Sequence, residues 1–112
     1  MLQFILFNLL TGPLTLLLGL MVLRKPPRFK NPAYGYRTQQ SKKSEAHWEF
    51  AHRVVGRLLV AFGTIITIFQ ALIVGFMGWE KTFLLSLFSM LFFLILSVVL
   101  TEDQLKRRFA DS

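Results

Sequence analysis

Long apolar runs and two polar stretches alternate along the chain, and this pattern predicts its elements before individual residue types are weighed. Leu2 to Leu23 is nearly unbroken in apolar residues. At about 1.5 Å of rise per residue, such a run covers about 33 Å, enough for the roughly 30 Å hydrocarbon layer of a bilayer. The pattern predicts a retained spanning helix over about 2–23 rather than a cleaved signal peptide, because Arg24 and Lys25 follow the apolar stretch instead of preceding it. Gly12-Pro13 is expected to kink this helix, since proline removes a backbone donor and crowds the carbonyl four residues back. Asn8, Gly12, Thr15 and Gly19 recur at helical spacing and share one face, suited to close contact with another helix.

From Arg24 to Lys43 the chain turns polar, with three prolines and seven basic residues, and predicts a loop. Ser44 then suits a helix N-cap, with Glu45 in the first turn facing the positive end of the helix dipole. Helical spacing continues to about Phe76, a length of about 50 Å that exceeds the hydrocarbon layer. An interfacial helix is therefore expected near 44–55, followed by a second span over about 54–76. Glu49, His52, Gly56, Gly63 and Gln70 form one stripe that should face other helices, because Gln70 would otherwise leave amide groups unpaired in lipid. Met77 to Lys81 is a tight turn with Trp79 suited to an interface. Thr82 to Leu100 is the clearest span, fourteen of its nineteen residues being Leu, Ile, Phe or Val. The tail, 101–112, continues as a helix in which Glu102 and Asp103 can meet Lys106 and Arg107 one turn later. The expectation is an all-α integral membrane protein, a small antiparallel bundle of three spanning helices plus an interfacial helix, forming a single domain over 1–112.

Composition agrees: 54% of the 112 residues are hydrophobic, above the roughly 45 to 50% of soluble domains. The net charge of +7 would suggest nucleic acid on a soluble domain, but here topology accounts for it and no nucleic-acid partner is expected. Eight basic residues lie between Arg24 and Arg53, and Arg57, Lys106, Arg107 and Arg108 share their side, whereas Lys81 alone lies in the hairpin. The positive-inside rule then places the polar stretch and the C-terminus in the cytoplasm and the N-terminus outside. The absence of cysteine excludes disulfides, thiolate metal sites and a cysteine nucleophile.

Chemistry concentrates in Tyr34 to Gly56. Glu49-x-x-His52, with Glu45 one turn earlier, sets two carboxylates and an imidazole on one helical face, a spacing known from metal-binding bundles. Such bundles draw acids from every helix, and the other spans carry none, so a polar network tying helix to loop explains the group better and no cofactor is expected. Tyr34, Tyr36 and Trp48 beside Arg37 could form a pocket for a phosphate-bearing headgroup, but an aromatic belt with positive-inside charge explains them with fewer assumptions. Ser41 and Ser44 lack any oxyanion signature, which argues against nucleophilic catalysis. Arg37 is expected to pair with Glu45 or Glu49, with Trp48 anchoring the helix among headgroups.

Asn31, Tyr34-Gly35-Tyr36-Arg37-Thr38, Ser41, Ser44-Glu45, Trp48, Ala51, His52-Arg53 and Gly56 together resemble the signature of the SdpI/YfhL family of bacterial membrane proteins, with Gln39 where a proline often follows Arg-Thr. The resemblance extends to one helix before the motif and two after it. It implies immunity against a secreted killing peptide of the cannibalism-toxin type. In the longer members it also implies capture of a cytoplasmic repressor, and protection is the part expected of this shorter chain. The alternative is a small membrane enzyme or transporter using Arg37, Glu45, Glu49 and His52 to hold a metal or lipid headgroup. Expected partners are the bilayer and a toxin peptide, and the sequence leaves homo-oligomerisation open.

Overall fold

A computed structural model describes residues 2–29 and 35–110, so the expectations for Asn31 and Tyr34 lie outside the described residues. The described chain is entirely helical or loop: α1 (Leu2–Leu9), α2 (Gly12–Arg24) and α3 (Glu45–Arg108). Two stretches, Leu2–Arg24 and Glu45–Arg108, are long and apolar enough to cross a membrane.

The break between α1 and α2 falls just before Pro13, whose missing N–H and ring prevent the ladder from running through. Thr11 N–H bonds instead to Asn8 O at 3.2 Å. That carbonyl also accepts the Thr11 hydroxyl at 2.7 Å and, from α3, the Gln70 amide at 3.0 Å. The same amide reaches Asn8 Oδ1 at 3.1 Å and Thr11 Oγ1 at 2.5 Å, so the kink's exposed backbone is satisfied from across the bundle.

A straight helix of 64 residues would measure about 96 Å, yet the longest dimension of the molecule is 51 Å. Gly78, at φ 80° and ψ 167°, reverses α3 in a single non-helical residue, which glycine's lack of a Cβ permits. The arms 45–77 and 79–108 then run antiparallel, with Phe62 stacked on Phe93 (centroids 4.6 Å apart) midway and His47 stacked on Phe109 (3.8 Å) at the open end. The turn expected at 77–81 is thus sharper than anticipated.

No residue from Glu45 to Met77 leaves helical geometry. The separate interfacial helix expected over 44–55 is therefore corrected: it is the first three turns of one continuous arm. Length alone could not choose between bending and projecting. The helix runs on without a bend, and Trp48, Ala51, His52, Val54 and Val55 on it are buried, Trp48 bonded to Pro27 and His52 to Tyr36 of the chain between α2 and α3.

The α2 face Gly12, Thr15, Gly19 is buried against the 45–77 arm, as its spacing predicts. A Cβ added at Gly19 would stand 2.6 Å from the Val60 nitrogen, and one at Gly63 would collide with the Leu16 backbone, so both glycines set the approach distance. Of the stripe from Glu49 to Gln70, all but Glu49 are buried. Across the molecule the buried residues are mostly small or polar, including Thr15, Gln70, Thr82, Ser86, Ser97 and Thr101, whereas Phe76 is 92% exposed and Leu72, Phe88 and Ile95 are each about two-thirds exposed.

Candidate functional site

The motif loop is held by hydroxyls before it meets α3. Thr38 N–H donates to Ser41 Oγ at 2.9 Å, and Ser41 N–H returns a bond to Thr38 Oγ1 at 3.1 Å. The Ser41 hydroxyl lies near both the Tyr36 carbonyl (3.1 Å) and the Thr38 carbonyl (2.9 Å) and is fully buried. This reciprocal turn uses short side chains at i and i+3, which is why Thr-x-x-Ser can close it. Ser44 caps α3 as its sequence context predicts: its backbone is extended, and its Oγ accepts from His47 N–H at 3.1 Å and meets His47 Nδ1 at 2.6 Å.

His52 is the point where the loop is fixed to the helix. Tyr36 N–H donates to His52 Nε2 at 2.8 Å, and His52 Nδ1 lies 2.8 Å from Trp48 O. A backbone N–H only donates and a carbonyl only accepts, so Nε2 must be bare and Nδ1 must carry the proton. Burial holds the His52 pKa below the ordinary histidine value, against the opposing pull of the Trp48 carbonyl. Gly35 sits at φ 121°, and a Cβ there would fall 2.7 Å from His52 Nε2, so the close approach requires glycine.

Tyr36 then carries the loop to the 79–108 arm of α3. Its hydroxyl donates to Glu102 Oε1 at 2.7 Å. Burial, with the Glu102 carboxylate beside it, pushes the phenol well above its usual range. Trp48 donates from Nε1 to Pro27 O at 3.0 Å and is 2% exposed, so the expected headgroup anchor is instead a buried tie to the chain after α2. Its ring lies 4.5 Å from that of His52. Gly56 lets Val22 and Leu23 of α2 approach the same region.

The charged members behave differently. Glu45, Glu49, Arg37 and Arg53 are exposed. Arg37 has interactions of its own. Among the described residues neither Glu45 nor Glu49 joins an ion pair, so the expected Arg37 pairing with either does not form. Nor are Glu45, Glu49 and His52 gathered as metal ligands: no group of three such side chains occurs among the described residues, and both His52 nitrogens are already engaged. Sequence reasoning missed Glu102, Pro27 and Phe109 as partners of the motif. For Glu102 the available signal was its position just past an uncharged run, but in-helix spacing pointed to Lys106 instead.

A bundle of this plan, with a hydroxyl-braced loop latched to one helix through histidine, is the structural setting of the motif. A family model described as the SdpI/YfhL protein family matches residues 29–101. The chain belongs to this family. It is 30% identical over 99 residues to a Bacillus subtilis (strain 168) protein named "Uncharacterized protein YfhL", an alignment that covers 88% of this chain and 86% of that one. No solved structure matches the chain.

Proposed function

We propose that the chain crosses a bacterial plasma membrane three times, through about 2–23 and, within the two arms of α3, about 54–76 and 82–100, and protects that membrane from a secreted killing peptide without acting as an enzyme. The observation that carries the spanning reading is the inverted distribution of side chains: hydroxyls, glycines and the two amides Asn8 and Gln70 face inward, and leucines and phenylalanines face out. In water such a surface would forfeit the main driving force of folding, whereas in lipid it leaves only packing and internal hydrogen bonds to hold the helices together. Lysine and arginine counting sets the orientation, with the motif and C-terminus inside. Protection rests on the family resemblance. The latch chemistry supports a positioning role for the motif, since His52, Tyr36, Ser41 and Trp48 are bonded to one another or to backbone.

Two measurements test this. Expression in a toxin-sensitive bacterium is expected to raise survival, and unchanged killing by all related peptides at verified membrane levels would remove the protective role. Reporters active only in the cytoplasm should work after Arg108 and fail at the 78–81 reversal, and the opposite result would overturn the orientation.

A further inference from the structure

Between the two arms of α3 near their open end, a cleft of about 200 Å³ is lined by Phe50, Arg53, Val54, Arg57, Gln104 and Arg108. Arg53 and Arg57 stand one turn apart on one arm, and Arg108 reaches in from the other with its guanidinium carbon 5.7 Å from the Phe50 ring centroid. That cation–π contact fixes the third charge toward the cleft. Among the described residues no carboxylate lines it. Asp103 is occupied by Arg107 at 3.1 Å, Glu102 by Tyr36, and Glu49, which borders a separate groove with Arg53, makes no ion pair with it among the described residues.

We infer that this three-arginine cleft binds the phosphate of an anionic phospholipid, an inference that rests on the spanning reading above. Arg53, Arg57 and Arg108 are exposed, and an anion among their three guanidinium charges would gain from all of them at once. Their planar forks suit phosphate oxygens, and Gln104 supplies a further donor. A mostly apolar groove of Ile65, Ile66, Phe69, Ser89 and Phe93 lies between the same two arms. Ile65 is eight residues beyond Arg57, about 12 Å along the helix, and so within the roughly 15 Å depth of one leaflet. A ligand with a phosphate at one end and an acyl chain at the other fits both features, and the cleft's side of the bundle is the one facing anionic lipid in the proposed orientation.

The full-length protein in neutral maltoside detergent is titrated with phosphatidylglycerol, phosphatidylcholine and inorganic phosphate, and binding is read from the rise in Tm. Phosphatidylglycerol should act at concentrations where the other two do not. Arg53→Gln with Arg57→Gln should weaken its apparent affinity about tenfold or more, at about fivefold per arginine. Lys106→Gln with Arg107→Gln, which removes equal charge outside the cleft, should weaken it less than about threefold. If the cleft variant does not fold, Arg108→Lys, which keeps the charge and loses the fork, should still weaken binding. Equal losses in both double variants, equal action of phosphatidylcholine, or a response to inorganic phosphate alone would overturn the assignment. Insertion is scored separately by resistance to alkaline extraction. Extractable protein overturns the spanning reading and with it the lipid assignment, whereas inserted protein with no lipid preference overturns the assignment alone.

Discussion

The backbone N–H of Tyr36 donates to Nε2 of His52 across 2.8 Å, which ties the protonation of one imidazole to the docking of the motif loop. A proton on Nε2 would set donor against donor. Because burial lowers the folded pKa, the unfolded chain binds this proton more readily than the folded one, and stability falls with acidification. The contribution is fully present above the ordinary value of 6.5 and is lost as pH falls through the lowered folded value. Tm measured in detergent against pH should drop across that window in the native chain. The drop should be smaller in His52→Gln, and identical profiles would refute the latch.

Gly35→Ala should loosen the same contact without removing any polar group. A side chain at φ 121° is strained by about 1–3 kcal/mol, and its Cβ would press on the imidazole. Limited proteolysis within 35–43 should accelerate markedly, with little change in the rest of the bundle. Cleavage at the native rate would show that the loop tolerates the substitution.

Gly63→Ala and Gly75→Ala offer a matched pair. The first drives a methyl into the Leu16 backbone and should destabilise by about 1–3 kcal/mol as α2 is pushed away. The second meets nothing within 4 Å and should be neutral or gain up to about 1 kcal/mol from helix propensity. Equal effects in thermal unfolding would mean that glycine contact does not set the α2 crossing.

Tyr36→Phe and Glu49→Ala separate the latch from the surface. Deleting the hydroxyl removes a 2.7 Å bond to Glu102 and should cost about 1 kcal/mol, with reduced protection in the survival assay. Glu49 is exposed and unpaired among the described residues, so its loss should stay within about 0.5 kcal/mol and leave survival intact. A larger effect at Glu49 would return the functional weight to the charged face.

What the sequence disclosed was whatever periodicity or local chemistry governs. Pro13 placed the break, the Asn8–Gly19 face and the Gly56–Gly63–Gln70 stripe named their own contacts, Ser44 declared the cap, and Asp103 met Arg107 one turn on. Contacts set by distant folding were hidden. Tyr36 and Glu102 lie 66 positions apart, and nothing in either neighbourhood specifies the other. Glu45 and Glu49 looked central because charges dominate a list of polar residues, yet exposure gives an ion pair little to gain there. Trp48 looked like a membrane anchor because its indole suits an interface, and its Nε1 instead found the Pro27 carbonyl, which no spacing rule indicates.

The reversal at Gly78 also has a mechanical meaning. With a single non-helical residue joining them at the closed end, the two arms of α3 have the shape of a forceps with its bend at Gly78. Any opening must grow from the opposite tips, where His47 rests on Phe109 and Arg108 on Phe50. The motif loop, pinned to one tip through His52 and to the other through Glu102, straddles the jaws and acts as the clasp that keeps them shut.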